Sequence, residues 1–171
     1  VRIDRALEDL QDPVLRMSAH RDRGFAAFAS GGIDNARELT LASLAELDDR
    51  DSDDALQMEA NLAMLAWISG KDSGIDLDRH LKIPGDTAAE RMMLALFSQI
   101  RHQRGAHPDE AAELANRALG NGRMIAEDTS EAVGVFIAIY VLLTCEALAD
   151  AKAAIDQAMA DAVRRGSSFG R

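Results

Sequence analysis

The acidic run from Asp48 to Asp54 is the best candidate in this sequence for a cation site. Three of its carboxylates stand at positions 1, 3 and 5 of a calcium-binding loop: Asp49, Asp51 and Asp53. Position 6 should be Gly but is Asp54. Position 12 should be a bidentate Glu but is Ala60, with Glu59 one residue out of register. We therefore interpret the run as a solvated loop whose acids favour the N-terminus of the following helix.

Side chains that act as nucleophiles, bases or zinc ligands are few and scattered. The histidines are His20, His80, His102 and His107. No two of them are four residues apart, which is the spacing of two zinc ligands on one helix. His102 and His107 lie on either side of the Gly105 turn, and we expect both to be solvated. Cys145 lies among leucines and is predicted to be a buried, inert thiol. The Met92–Met93 pair is expected to fill core space.

The phosphate-loop pattern GxxxxGK[ST] and the nucleophile pattern GxSxG are both missing. We therefore predict a protein that is not an enzyme, with no catalytic, cofactor-binding or metal-binding residues in this chain; residues that bind a ligand or partner cannot be assigned from the sequence.

Composition limits the classes of partner. Hydrophobic residues make up 47% of the 171 residues, which supports a packed core and excludes a disordered tail. The net charge of −10 argues against direct contact with nucleic acid and favours a basic or neutral partner surface. A single cysteine fits a reducing compartment, so we expect a cytoplasmic protein. The longest apolar run, Ala132–Leu143, is much shorter than the roughly 20 residues of a membrane span.

Apolar residues recur at helical spacing along nearly the whole chain, between short breaks of Gly, Pro, Asp and Ser, so we predict an all-α protein. Thr87 and Glu90 form a capping-box pattern, and Pro108 is suited to the first turn of a helix. Eight helices are expected, approximately over Pro13–Ser30, Ile33–Asp48, Ser52–Gly70, Ile75–Leu81, Thr87–Arg104, Pro108–Gly120, from Ser130 through the apolar run, and Asp150–Gly166.

The second helices of successive pairs share one spacing of small and large residues. The copies are Ala36, Leu39, Ser43 and Leu44; Ala111, Leu114, Ala118 and Leu119; and Ala151, Ala154, Ala158 and Met159, with Ile155 one step late. Small residues at the first and third positions let a partner helix approach closely. The weak pattern around Leu77 and Leu81 would supply one more, degenerate copy.

A period near 40 residues built from helix pairs is typical of an α-solenoid. We predict a single domain over residues 1–171, a right-handed solenoid of about four antiparallel helix pairs that is tetratricopeptide-like but divergent.

The helix within Val133–Leu143 is apolar nearly all round, so more than one of its sides must be covered. Further repeats or a partner subunit would cover it, and we expect association through the exposed ends of the solenoid, and hence a homo-oligomer. The chain opens within a helical pattern, and Arg164–Arg171 resembles a helix stop followed by a new cap. We therefore expect a piece of a longer protein.

Two stretches, ELANRALGNGRMIAED at 113–128 and ALADAKAAIDQAMADAVRRGSSFG at 147–170, resemble the helical-repeat region of the large ATP-binding LuxR-type transcriptional regulators of actinobacteria. The matching features are small and large residues at Ala115, Ala118 and Leu119, the Asp150–Ala151 start, and the ending Ala162–Ser167. The Gly31–Ala36 turn is similar to a repeat junction of that family. The resemblance covers about two-thirds of the chain.

This resemblance implies a long protein with an N-terminal nucleotide-binding module, a middle repeat module and a C-terminal helix-turn-helix. Only the middle module is resembled here, so ATP and DNA belong to modules outside this chain. The repeat module would sense an inducer or protein partner and relay its state to the other modules. Two alternatives remain: a tetratricopeptide-like interaction scaffold unconnected with transcription, and an all-α enzyme, which the missing catalytic motifs disfavour.

Overall fold

The computed structural model describes residues 13–71, 74–75, 77–80, 82–130 and 132–167. Within these residues every regular element is helical, which confirms the all-α prediction. The α-helices are α1 (Pro13–Ala29), α2 (Ile33–Ala45), α3 (Asp53–Ser69), α4 (Ala88–Gln103), α5 (Pro108–Leu119), α6 (Arg123–Asp128), α7 (Val133–Thr144) and α8 (Leu148–Arg165). Short 3₁₀ turns cover Leu77–His80 and Gly120–Gly122.

The chain divides into two compact units, Val1–Ile75 and Asp76–Arg171. In the first unit α2 packs against both α1 and α3. In the second unit α4 packs against α5, α7 contacts both members of that pair, and α8 packs against α7. The short α6 contacts α4, α5 and α8. The second unit is thus built from two helix pairs, with the first helix of the later pair lying against both helices of the earlier one.

Local sequence signals fix several helix ends. The Ser52 hydroxyl accepts a hydrogen bond of 3.2 Å from the Ala55 N–H at the start of α3. Thr87 and Glu90 form the predicted capping box of α4, and Pro108 occupies the first turn of α5. Gly70 ends α3 in the left-handed conformation that glycine adopts without strain.

The predicted helix Ile75–Leu81 is wrong. Only the 3₁₀ turn Leu77–His80 forms there, and residues 76 and 81 lie outside the described part of the chain. Gly74 with φ +72° precedes this segment and Pro84 follows it closely, and both residues oppose a helix that extends past them. The described residues of this segment therefore do not form the helix that the degenerate copy required.

The segment before α7 also differs from the prediction. Gly120, Asn121 and Gly122 all have positive φ angles and end α5, and α6 then forms where no helix was predicted. The helix expected from Ser130 begins instead at Val133. A six-residue helix is too short to produce a clear periodic pattern, which explains why the sequence did not reveal it.

The small residues of the repeated pattern are buried in the first two copies, as predicted, and only partly in the third. In α2, Ala36 and Ser43 are almost fully buried and Leu44 packs against residues of α3. In α5 the whole set is buried: Ala111, Leu114, Ala118 and Leu119. In α8, Ala151 and Ala154 are buried, whereas Met159 is 56% exposed. The third copy therefore has one small residue, Ala151, buried and the other, Ala158, half-buried, and its large terminal residue is open to solvent.

Replacing Gly85 with Ala should destabilise the second unit by about 2 kcal/mol. Gly85 has φ +89°, and a Cβ atom there would lie 3.1 Å from Leu94 Cδ1 and 3.2 Å from the Arg117 carbonyl oxygen. Backbone strain and steric overlap therefore add together. Gly105 is the matched control, because it has φ +81° but no atom within 4 Å of the added Cβ. Its Ala variant should lose only about 1 kcal/mol in urea denaturation. Equal losses would contradict the packing described around Gly85.

Candidate functional site

The acidic run lies in an exposed loop. The Asp49 carboxylate accepts a hydrogen bond of 2.9 Å from the Asp51 N–H, so one of the three proposed ligands is used to shape the loop. Asp53 and Asp54 form the first turn of α3, where carboxylates stabilise the helix. Among the described residues no three His, Cys, Asp or Glu side chains are placed to hold a metal ion.

The structure places three histidine side chains; that of His20 lies outside the described part. His80 is buried and accepts a hydrogen bond of 2.9 Å from Arg79 Nε. His107 caps α5, with its Nδ1 atom accepting from the Asp109 N–H at 3.3 Å. His102 is half-buried, and its Nδ1 atom lies 3.5 Å from Cys145 Sγ.

Cys145 is half-buried, at the end of α7. Burial, and to a lesser degree the nearby Asp109 carboxylate, raises the pKa of this thiol above its usual value. A thiol with a raised pKa forms little thiolate at neutral pH, and the thiolate is the reactive form. The raised pKa therefore lowers the thiolate fraction of Cys145 at neutral pH.

Three of the six methionine side chains in the described part are buried in the core. Met58, Met93 and Met124 are almost fully buried, and Gly134 of α7 leaves room for the end of Met124 and for Met92 Sδ. Flexible side chains of this kind adapt to irregular space between helices. Met159 differs, because it lies exposed on α8.

A shallow cleft of about 630 Å³ lies between α5 and the start of α8. Its acidic side chains are Asp109, Glu113 and Asp150, and Asn116 Nδ2 donates a hydrogen bond of 2.8 Å to Asp150. Arg117 also lines the cleft, and its guanidinium donates to the Ile83 carbonyl oxygen. The cleft thus has three carboxylates and one guanidinium, a charge that suits basic or neutral groups better than phosphates.

A buried arginine connects α4 to α6. The Arg91 side chain is only 1% exposed, and its guanidinium donates to Glu127 at 2.7 Å and to Asp128 at 3.2 and 3.3 Å. It also donates to the Asp86 carbonyl oxygen at 3.0 Å. Every contact joins α4 to a neighbouring segment, so Arg91 fixes the position of α6 rather than facing a ligand.

A second polar cluster holds the segment between α6 and α7 against α8. The buried Asp161 carboxylate accepts from the Ser130 N–H at 3.0 Å and from Arg165 Nε at 2.8 Å. Arg164 Nη2 donates to its other oxygen at 2.6 Å. The Ser130 N–H, with Arg165, holds the pKa of Asp161 at about 2, below the usual 3.8.

The Asp161 cluster should make the second unit sensitive to acid. Because the folded-state pKa is lowered, the stabilising contribution is complete above the usual value near 3.8 and is lost as the pH falls toward 2. Asp161→Asn should lower the Tm by several degrees at pH 7 and flatten the fall in Tm between pH 4 and 2. Asp156→Asn, an exposed acid on the same helix, is the control. Thermal melts with identical pH dependence for wild type and Asp161→Asn would contradict this role.

Seven large apolar side chains on α7 and α8 are between 45% and 64% exposed: Val133, Phe136, Tyr140, Leu143, Leu148, Met159 and Val163. The sequence predicts that the apolar helix within Val133–Leu143 needs cover on more than one side. Helices α4 and α5 both pack against α7, and the exposed apolar residues of α7 lie outside these contacts.

No protein-family model matches the chain, and no curated protein or solved structure gives a significant match. The resemblance to LuxR-type regulators therefore stays a prediction from the residues quoted above. In the described part of the chain, no helix combines the length and apolar character needed to cross a membrane.

Proposed function

We propose that this chain is the tetratricopeptide-like repeat segment of a LuxR-family transcriptional regulator in the cytoplasm. In this role it binds an inducer or protein partner and relays that state to ATPase and DNA-binding modules outside the chain. The segment acts by binding and not by catalysis, and it makes no direct contact with nucleic acid. ATP belongs to the nucleotide-binding module that the resemblance implies.

The observation that supports this proposal most strongly is the packing of α7 against both helices of the preceding pair. A solenoid grows in this way, because the first helix of each repeat fills the groove between the two helices before it. The buried small residues Ala111 and Ala118 permit close approach at that groove. We propose that α4/α5 and α7/α8 are successive units of a right-handed solenoid, and that α1–α3 belong to the same type of array.

Charge supports a protein or small-molecule ligand over nucleic acid. The whole chain has a net charge of −10, and the cleft beside α5 has three carboxylates. Binding to phosphates depends on clustered Lys and Arg side chains, which this surface lacks within its described lining. A partner with basic or neutral groups is the better match.

The alternative function is an interaction scaffold unconnected with transcription, which the same packing would also support. The two functions differ in what the rest of the gene encodes. We would therefore read the coding frame on both sides of this chain. A phosphate-loop module upstream and a helix-turn-helix downstream would support the regulator. If the frame encodes neither module, the regulator function is excluded. The scaffold function is then tested by a pull-down that uses a tagged form of this chain to isolate its protein partner.

A further inference from the structure

The short helix α6 lies between the two helix pairs of the second unit. It contacts α4 and α5 of the earlier pair and α7 and α8 of the later pair. Of its six side chains, only Met124 and Ile125 are buried. The end of Met124 occupies the room that Gly134 leaves on α7, since a Cβ atom at Gly134 would lie 2.5 Å from Met124 Cε. Helix α6 thus joins four helices with little buried apolar surface, which is typical of segments that open locally.

The residue that follows α6 has an unfavourable backbone conformation. Thr129 has φ +75° and ψ 159°, a region that glycine occupies almost alone. Among the residues that the structure describes, the other non-glycine residues with positive φ are Asn121 and Glu146. Only Thr129 of these three is β-branched, and a positive φ is least tolerated in branched residues. Backbone strain of this kind persists only where the surrounding contacts hold it in place.

Polar contacts hold the backbone on both sides of Thr129. On one side, the Asp128 carboxylate accepts hydrogen bonds of 3.2 and 3.3 Å from Arg91 of α4. On the other side, the Ser130 N–H donates a hydrogen bond of 3.0 Å to the buried Asp161 carboxylate of α8. The strained residue is therefore fixed between one helix of each pair.

The strain at Thr129 opposes these contacts. When residues 123–130 leave their place, the contacts of Arg91 and Asp161 are lost, but Thr129 can return to an extended conformation. The strain that is released lowers the free energy of this local opening. Opening the whole unit would also expose the buried residues of α4, α5 and α7, which is far more costly. Local opening is therefore favoured over unfolding of the unit.

We propose that residues 123–130 form a strained strap across the junction between α4/α5 and α7/α8, and that this strap opens about Thr129 while the four helices stay folded. Because the strap contacts all four helices, its opening would loosen the packing between the two pairs. A molecule that binds only the open or only the closed form would shift this equilibrium. The strap goes beyond the proposed function and does not rest on it, so either can fail while the other stands.

Amide hydrogen exchange of the 171-residue chain, followed by NMR at constant pH, tests local opening. We expect the amides of Glu127, Asp128 and Ser130, relative to their intrinsic rates, to exchange at least about tenfold faster than those of Val141 and Leu142 in the buried part of α7. Equal protection of the two groups would mean that the strap opens only when the unit unfolds, and the proposal would be overturned.

Thr129→Gly tests the strain. Because glycine adopts the observed conformation without strain, the closed strap is stabilised, and exchange at Asp128 and Ser130 should slow at least about fivefold. This estimate allows for the extra freedom of glycine in the open form. Thr129→Ala is the matched control, since it keeps the Cβ atom and should change the rates by no more than about twofold. Unchanged or faster exchange in Thr129→Gly would show that Thr129 stores no strain.

The same substitution in a second background tests what holds the strain. In Asp161→Ala the Ser130 N–H loses its acceptor, so Thr129 can relax and Thr129→Gly should alter exchange at Asp128 by no more than about twofold. In Asp156→Ala, which changes an exposed acid of the same helix, the slowing of about fivefold should remain. Equal slowing by Thr129→Gly in both backgrounds would overturn the strap, because the Asp161 contact would then not hold Thr129.

Discussion

Arg91→Met should lower the free energy of unfolding by about 3 kcal/mol, because it removes one partner from a buried ion-pair cluster. The guanidinium is 1% exposed and its partners Glu127 and Asp128 have side chains that are 50% and 22% exposed. The partial exposure of the two acids keeps the expected loss at the lower end for buried pairs. Methionine retains most of the apolar stem, so the loss reports mainly on the charge and its hydrogen bonds.

Urea denaturation followed by circular dichroism measures this loss. Arg123→Met is the matched control, since Arg123 contacts Glu127 and Asp86 from an exposed position. Its midpoint should be unchanged within error. Arg91→Lys should recover only part of the stability, because one ammonium cannot reproduce contacts to two acids and a carbonyl oxygen. If Arg91→Met unfolds at the wild-type midpoint, Arg91 does not hold α6 in place.

Ala118→Leu should also cost about 3 kcal/mol, at the upper end for an overpacked core position. Ala118 is fully buried in α5, the helix that packs against both α4 and α7. The larger side chain would push one of these helices away or adopt an unfavourable rotamer. This variant tests the role of small residues that the repeated spacing predicted.

Ala153→Leu supplies the control for Ala118→Leu, because it makes the same change at an exposed position within α8. Leucine and alanine have similar helix propensities, so its free energy of unfolding should stay within about 0.5 kcal/mol of wild type. A similar small change for Ala118→Leu would mean that the helices around α5 do not approach closely.

The sequence predicted the elements whose signals are local. The Thr87–Glu90 capping box and Pro108 give the starts of α4 and α5, and the apolar periodicity gives the long helices. The buried small residues of α2 and α5 follow from their spacing alone. In each case neighbouring residues contain the whole signal, so no tertiary information is needed.

Contacts between distant residues were not predicted. Arg91 lies 36 and 37 residues from Glu127 and Asp128, and nothing in the sequence pairs them. The Ser130–Asp161 hydrogen bond spans 31 residues and belongs to the same class. The position of Arg91 on the core side of α4 was a signal that could have predicted a buried ion pair, because a buried arginine requires acidic partners nearby. Its partners depend on the tertiary fold.

The candidate sites also divide into those with a local signal in the sequence and those that depend on the tertiary fold. The departure of Asp54 and Ala60 from the calcium-loop pattern was readable in the sequence, and the exposed loop agrees with the solvated interpretation. The contact of His102 with Cys145 brings together residues 43 positions apart, and the sequence did not indicate it. The exposed apolar residues of α7 and α8 were only partly predicted, because the apolar α7 was evident but the exposure of Met159 and Val163 was not.

The packing of α7 against both α4 and α5 supports the proposed solenoid and, through it, the proposed function. Nuclear Overhauser measurements on the chain with labelled Ile, Leu and Val methyl groups test it most directly. The methyl groups of Val135, Ile137 and Val141 should together show cross-peaks to methyl groups of α4 and of α5, because α7 contacts both helices. Cross-peaks to only one of these helices would contradict the proposed solenoid packing.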